Sequence, residues 1–175
     1  AMLTTQSLKK LKQILNKEFR EFVNTSTKSF VLKKDNSPVT KLDISISNKL
    51  KDFFKKHKQF KDFHFYSEED HTRLVFPNLI TVDPVDGTKG LLNGTWESSL
   101  SLSILTSPSL NSENFSWIYN PCTGLEINSN THFIKSTFEN KTNNPLVGLI
   151  SKSEFNNGLF KIKEAINLKT CGSIA

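Results

Sequence analysis

The chain has little of what builds disulfide-rich or membrane-bound proteins. Its 175 residues include only 2 cysteines, Cys122 and Cys171, and this pair shows no Cys-x-x-Cys or Cys/His spacing. A disulfide scaffold is therefore excluded, and a reducing compartment is the simpler prediction. No apolar run approaches the roughly 18 residues of a membrane helix, and charges interrupt the N-terminal segment where a signal peptide would be apolar. We expect a soluble, cytoplasmic protein.

Motifs that would identify a nucleotide-binding or zinc enzyme are also missing. The sequence contains neither Gly-x-Gly-x-x-Gly nor the Gly-x-x-x-x-Gly-Lys-Ser/Thr phosphate loop. The 4 histidines form no i,i+4 pair and no His-Glu-x-x-His pattern, so none is assigned to a metal. They are His57, His64, His71 and His132.

Positive charge is in modest excess, with 23 Lys and Arg against 17 Asp and Glu and a net charge of +6. The densest part lies along one amphipathic segment, at Lys49, Lys51, Lys55, Lys56, Lys58 and Lys61. A solvated helix face explains this pattern better than a nucleic-acid surface, so nucleic acid is disfavoured as a partner. A general attraction for small anionic substrates is the milder consequence.

Two amphipathic helices are predicted in the first third of the chain. Apolar residues recur every three or four positions over residues 6–23, and a second such stripe follows Thr40. Thr40 and Asp43 have the Ser/Thr-x-x-Asp/Glu spacing of a helix N-terminus. This spacing makes Thr40 the predicted N-cap and Asp43 its capping-box partner.

From residue 63 onward the pattern changes to that of β-strands. The strand-like segments are "FHFYSEED", "NLITVDP", "SSLSLSIL", "FSWIY" with a return strand after a Pro/Gly turn, and "PLVGLIS". Residues 153–166 have a helical pattern, and "INLKTCGSIA" begins a further element. Two helices followed by mostly antiparallel strands predict an α+β layered domain in preference to a doubly wound sheet.

The segment "ITVDPVDGTKG", residues 80–90, combines two carboxylates with a candidate phosphate turn. Asp83 and Asp86 follow a strand, and hard cations such as Mg²⁺ bind carboxylate oxygens together with water and substrate phosphate. Gly87 permits close approach of the backbone, and Thr88 offers a hydroxyl and an amide to phosphate, especially at the start of a short helix. A plain Asp-Pro and Asp-Gly turn is an equally simple interpretation of this segment alone.

A second acidic group, Glu68-Glu69-Asp70, ends another strand-like run. Two strands that both end in carboxylates can bring them together over one metal cluster, which favours the functional interpretation of Asp83 and Asp86. Taken alone, the second group is explained equally well as an acidic surface turn.

Five segments share their order and spacing with a known enzyme family. They are "SPVTKLD", "FYSEED", "ITVDPVDGTKGLLNGTWESSLSLSIL", "SWIYNPCTGLEIN" and "LKTCGSIA". Together they resemble the inositol monophosphatase-like family of Mg²⁺-dependent, lithium-sensitive phosphatases, whose signature is Asp-Pro-x-Asp-Gly-Thr. The resemblance implies a sugar-phosphatase-type N-terminal domain, Mg²⁺ as cofactor, a small phosphorylated metabolite as substrate, and often a homodimer.

The resemblance also implies a set of metal ligands. Glu68 and Asp83 would bind the first Mg²⁺ together with the backbone carbonyl of Val85, and Asp83 and Asp86 would share the second. Glu68 would also face a third, loosely held ion.

The remaining site residues act on water and phosphate in the family's pattern. Asp43 and Thr88 would orient and deprotonate the attacking water, with Glu68 alongside, and the amides of Gly87 and Thr88 would hold the phosphate. From its spacing alone, Asp43 is more simply a capping residue.

Within the family, "DGTKG" with "LISKSE" looks most like the 3'(2'),5'-bisphosphate nucleotidase branch, which acts on adenosine 3',5'-bisphosphate. Two departures weaken this substrate prediction: Gly90 stands where such enzymes usually have an acidic residue, and Lys152 stands where they have arginine. The alternatives are an inositol or sugar monophosphate phosphatase, and a non-catalytic binding module on the same scaffold.

The resemblance divides the chain unequally. Residues 1–145 correspond to the N-terminal metal- and phosphate-binding domain, and residues 146–175 to the beginning of a second α/β domain that is largely absent. The family's Trp-Asp-x-x-Ala element in that domain has no counterpart in this sequence. We therefore expect these 175 residues to bind Mg²⁺ weakly and to hydrolyse phosphate esters poorly.

Overall fold

The structure, a computed structural model, describes residues 3–25, 29–32, 38–68, 75, 77–95, 97–107, 114–129, 147–151 and 167–171. The helices are α1 (Thr5–Val23), α2 (Lys41–Lys55) and α3 (Thr88–Leu92), with one 3₁₀ turn at Lys58–Phe60. The helix predicted over residues 153–166 lies outside the described residues.

Nine strands are described: β1 (Phe30–Leu32), β2 (Pro38–Thr40), β3 (His64–Ser67), β4 (Leu79–Asp86), β5 (Ser99–Leu105), β6 (Phe115–Tyr119), β7 (Glu126–Asn128), β8 (Val147–Ser151) and β9 (Asn167–Cys171). The main sheet has the order β3-β4-β5-β6-β7, and β1-β2 and β8-β9 form separate pairs. In the main sheet β3 and β4 are parallel, whereas the pairings from β4 to β7 are antiparallel.

Both long helices begin at threonine caps. The Thr4 side chain accepts a hydrogen bond from the amide of Ser7 at the start of α1. The predicted capping box of α2 is confirmed, with Thr40 as N-cap and the Asp43 carboxylate accepting from the Thr40 amide at 2.8 Å. These bonds satisfy amides that have no partner within the helix, and they fix where each helix starts.

One hydrophobic core lies between the two helices and the inner face of the main sheet. Alternation along the strands sends Leu100, Leu102 and Ile104 of β5 into this core. Trp117 of β6 is fully buried there, and its Nε1 donates to Glu126 on the edge strand at 3.0 Å. The predicted α+β layered fold, with two helices on a mostly antiparallel sheet, is confirmed.

An ion pair between the buried Glu18 and the half-exposed Lys49 joins α1 to α2. Glu18 of α1 is almost fully buried and accepts hydrogen bonds at 2.5 Å from both Lys49 and Ser45 of α2. Burial by itself raises the pKa of Glu18, but the bonds from Lys49 and Ser45 and the nearby lysine charges outweigh it, so the pKa is lowered. The ionised carboxylate therefore stabilises the packing of α1 on α2.

We expect Glu18→Gln to lower the free energy of unfolding by about 1–3 kcal/mol at pH 7, because it removes the charge of a buried carboxylate that bonds both Lys49 and Ser45. The folded pKa lies below the ordinary value of 4.5, so this stabilisation is present above that pH and is lost as the pH falls through the folded pKa. Urea unfolding between pH 3 and about 7 should show the wild-type and variant curves converging in acid.

Glu21→Gln provides the matched control, because the one ion pair of the Glu21 carboxylate among the described residues is an exposed 3.8 Å contact with Lys17 on the same helix. We expect that change to alter stability by less than about 0.5 kcal/mol at any pH. Equal losses of unfolding free energy in the Glu18 and Glu21 variants would contradict the stabilising role of the Glu18 carboxylate.

No helix among the described residues is both long enough and apolar enough to cross a membrane.

Candidate metal and phosphate site

The parallel pairing of β3 with β4 places two acidic strand ends at one edge of the sheet. Ser67 lies opposite Val82, and the amide of Glu68 donates to the Val82 carbonyl at 2.9 Å. Glu68 and Asp83 each follow this pair by one residue, so they lie side by side where β3 ends, while β4 continues to Asp86. The structure thus produces the juxtaposition that the two acidic runs predicted.

Asp83 interacts with both of the other acidic side chains at this place, Glu68 and Asp86. Its Oδ1 accepts from the Val85 amide at 3.1 Å, which closes the turn across Pro84. Burial, then the negative charges of Glu68 and Asp86, together with a hydrogen bond to the Glu68 carboxyl, raises the Asp83 pKa to about 8. Three acidic side chains therefore interact at this point with an unfavourable concentration of negative charge.

The residues present fit a hard divalent cation by their chemistry. Carboxylate and carbonyl oxygens are the ligands of Mg²⁺, and a cation would offset the repulsion that raises the Asp83 pKa. Within the described ranges, no group of three or more His, Cys, Asp or Glu side chains is already spaced to hold an ion. Glu69 and Asp70 lie outside those ranges.

Asp43 contacts both the helix cap and the loop after β4. Its Oδ2 accepts from the Thr40 amide at 2.8 Å and from the Thr40 hydroxyl at 2.6 Å, and its Oδ1 accepts from the Thr88 hydroxyl at 3.3 Å. Burial raises the Asp43 pKa, and the bonds from Thr40 and Thr88 oppose this shift. The two interpretations of Asp43 are compatible, because each uses a different carboxylate oxygen.

The turn at Gly87 and Thr88 joins this pair to the acidic edge. Gly87 has φ 83° and ψ 32°, a left-handed conformation that strains residues with a Cβ, and α3 begins at the next residue. The single proton of the Thr88 hydroxyl is shared between the Val85 carbonyl at 2.8 Å and Asp43 Oδ1 at 3.3 Å, and the Val85 carbonyl oxygen keeps a second lone pair. The first amides of α3 have no acceptor within the helix, so they are available to an anion.

Two residues that matter here were missed by sequence reasoning. The buried Ser98 hydroxyl donates to the backbone carbonyl of Asp86 at 3.1 Å across twelve residues of chain. Gly90 is in close contact with the segment after α3. The glycine inside a short helix was a signal for the second contact, whereas no local pattern pointed to Ser98.

Two lysines considered as anion contacts, Lys41 and Lys89, are exposed in the structure. His57 bonds the Phe53 carbonyl at 2.7 Å within the helix layer, far along the chain from the acidic edge. Neither observation adds a ligand to the site.

Comparison with known proteins agrees with this arrangement. The profile of the inositol monophosphatase family matches residues 2–169. The chain belongs to this family. A search of curated protein sequences finds no significant match.

Solved structures share the fold at low sequence identity. An inositol monophosphatase (IMPase) of Thermotoga maritima matches with a TM-score of 0.70 and 18% identity, covering 98% of this chain and 70% of the other. The extragenic suppressor protein suhB of Bartonella henselae matches with a TM-score of 0.65 and 16% identity, covering 95% and 67%. An IMPase/NADP phosphatase complexed with Mg²⁺ and phosphate matches with a TM-score of 0.63 and 15% identity, covering 95% of this chain and 64% of the other.

Family and fold together support a metal-dependent phosphatase that acts on small phosphorylated metabolites. The chain spans 64% to 70% of the length of these three structures. The bisphosphate nucleotidase branch receives no support from them, since the related structures are described as IMPases, a suhB protein and an IMPase/NADP phosphatase.

Proposed function

We propose that this chain carries the metal- and phosphate-binding part of a Mg²⁺-dependent phosphomonoesterase. The observation that carries the proposal is the meeting of Glu68, Asp83 and Asp86 beside the Thr88–Asp43 contact. A structural turn needs neither the crowding of three carboxylates nor a second carboxylate, the buried Asp43, bonded to the same loop.

The metal would be held by Glu68, Asp83, Asp86 and the Val85 carbonyl, and bound Mg²⁺ supplies a water of lowered pKa and neutralises charge on the phosphate. The Val85 amide keeps the Asp83 carboxylate oriented through its 3.1 Å bond. The short turn keeps Asp83 and Asp86 at a fixed separation.

Asp43 and Thr88 would form the proton-accepting pair. The Thr88 hydroxyl accepts the proton of the attacking water as it gives its own to Asp43, whose buried position favours a proton more than an exposed carboxylate does. The amides of Gly87 and Thr88 would bind the phosphate oxygens during direct in-line displacement, with no covalent intermediate.

The substrate we favour is the 3'(2')-phosphate of adenosine 3',5'-bisphosphate, on the resemblance of the "DGTKG" and "LISKSE" segments. An inositol or sugar monophosphate is the alternative, and the IMPases among the related structures favour it. A binding module without turnover is a further alternative, since the chain spans only part of its relatives' length.

A substrate panel tests the proposal and separates its alternatives. Phosphate release from adenosine 3',5'-bisphosphate, inositol 1-phosphate and NADP is measured over long incubations, with Mg²⁺ or EDTA and with or without Li⁺. We expect slow, Mg²⁺-dependent, lithium-sensitive release that falls at least about 100-fold in Asp86→Asn, because a metal ligand is lost. The preferred substrate identifies the branch.

Asp52→Asn serves as the control, since Asp52 is an exposed carboxylate on α2. Release that is unaffected by EDTA, or equal in the Asp86 and Asp52 variants, would refute the proposed enzyme. Saturable Mg²⁺ binding without release from any of the three esters would favour the binding module.

A further inference from the structure

The segment that follows α3 is hydrogen-bonded to Gly90 within α3 and to Asp86 at the end of β4. The Thr95 amide donates to the Gly90 carbonyl at 2.9 Å, and the Ser98 hydroxyl donates to the Asp86 carbonyl at 3.1 Å. These two bonds connect the segment to the start and to the middle of the stretch from Asp86 to Leu92. We call residues 93–95 and 97–98 the clasp segment.

Gly90 is required here for space, since its backbone is in ordinary helical conformation. A Cβ at this position would lie 2.8 Å from the Thr95 hydroxyl oxygen and 3.1 Å from the Glu97 carbonyl oxygen. The first distance is shorter than real Cβ contacts allow, so a side chain at position 90 requires the Thr95 side chain to shift, and the Glu97 carbonyl must move by a few tenths of an ångström. An acidic side chain at this position requires the same shifts.

Ser98 bonds the main chain of Asp86 in addition to the pairing of Asp86 with Ser99 at the end of the main sheet. The pairing of β4 with β5 shifts register between Asp83 and Asp86, which weakens the ladder as a constraint on that turn. Ser98 is 1% exposed, so its bond to the Asp86 carbonyl is made away from water. Leu91, also buried, anchors α3 on the other side of the turn.

We propose that Gly90 and Ser98 are positioning residues for Asp86, acting through the clasp segment. The inference rests on the proposed function in one respect: it takes Asp86 to be a metal ligand. Because Gly90 has no side chain, the clasp segment can lie close to α3. The Ser98 hydroxyl then fixes the Asp86 carbonyl relative to the clasp segment. The carboxylate of Asp86 is thereby held at a set distance from Asp83.

Four variants isolate this role from general stability. Gly90→Ala introduces the obstructing Cβ, and Ser98→Ala removes the hydrogen bond. Gly90→Ala with Thr95→Ala removes the nearest obstructing atom while keeping the backbone bond from residue 95. Gly124→Ala is the control, because Gly124 has φ +78° in the distant β6–β7 turn and nothing near its missing Cβ.

The probes are Mg²⁺ alone, titrated by calorimetry, and amide hydrogen exchange over residues 86–92. We expect Gly90→Ala and Ser98→Ala to weaken Mg²⁺ binding about tenfold, because they disturb residues that hold a metal ligand in place, and to speed exchange over that stretch. The double variant should recover most of both losses relative to Gly90→Ala. Gly124→Ala should lose thermal stability without either effect.

Wild-type Mg²⁺ affinity and unchanged exchange in both single variants would overturn the proposal. If the wild-type chain binds no Mg²⁺, the metal assignment fails and exchange alone decides the positioning role. Faster exchange in Gly90→Ala and Ser98→Ala, but not in Gly124→Ala, would then support the positioning role. Unchanged exchange in both variants would contradict it.

Discussion

Asp83→Asn is expected to abolish saturable Mg²⁺ binding and, at the same time, to make the metal-free protein more stable at pH 7 and above. The isosteric amide keeps an oxygen for the Val85 amide but removes the charge that faces Glu68 and Asp86. We expect at least about a 100-fold loss in metal affinity and a gain of roughly 1–3 kcal/mol in the free energy of unfolding.

The sign of the stability effect follows from the direction of the pKa shift. The Asp83 pKa is raised from 3.8 to about 8 by burial and by its acidic neighbours. Since the folded state disfavours the ionised carboxylate, the stability of the metal-free wild type should fall as the pH rises between these two values. The variant should lack this part of the pH dependence.

Thermal unfolding from pH 4 to about 9, with and without Mg²⁺, measures both effects on the same samples. Asp62→Asn is the matched control, because Asp62 is 73% exposed and contacts only Lys61 at 3.9 Å among the ion pairs described. A variant that is less stable without metal and still stabilised by Mg²⁺ would show that Asp83 is a structural turn residue.

Asp43→Asn is expected to lower phosphate release by about 10²–10⁴-fold while leaving stability within about 1 kcal/mol of the wild type. The asparagine oxygen can still accept from the Thr40 amide and hydroxyl, so the start of α2 is preserved. Its amide group, however, would donate to the Thr88 hydroxyl and cannot accept a proton. The substitution therefore removes the proton-accepting role and keeps the cap.

Thr40→Ala makes the reciprocal change. It removes the cap hydroxyl, which typically costs about 1 kcal/mol, but leaves the contact between Asp43 and Thr88 intact. We expect a less stable protein with release close to that of the wild type. If Asp43→Asn retained full activity, or if the two variants lost activity in proportion to stability, Asp43 would be a capping residue only.

Local sequence patterns predicted the elements whose determinants are local. The apolar spacing of α1, the Thr40 cap of α2 and the Leu/Ser alternation of β5 each depend on residues within a few positions, and each was found in the structure. A short helix at Thr88 was only a condition that would favour phosphate binding, and the structure has one at Thr88–Leu92.

Features that depend on which elements become neighbours could not be read from the sequence. The two acidic runs suggested that Glu68 and Asp83 could meet, but alternation does not encode the parallel pairing of β3 with β4 that brings them together. The Glu18–Lys49 pair and the Ser98 bond to Asp86 join residues 31 and 12 positions apart. The acidic residues were therefore predictable as candidates, whereas their support by Gly90 and Ser98 was not.

The central claim is that Mg²⁺ and phosphate bind where β3 and β4 end. Its most direct test is an NMR titration of the labelled chain with Mg²⁺ and then inorganic phosphate, following every backbone amide. We predict saturable shifts concentrated at Glu68, Asp83 to Thr88 and Asp43, with the phosphate step strongest at Gly87 and Thr88. Shifts that never saturate, or that concentrate on the lysines of α2, would contradict the claim.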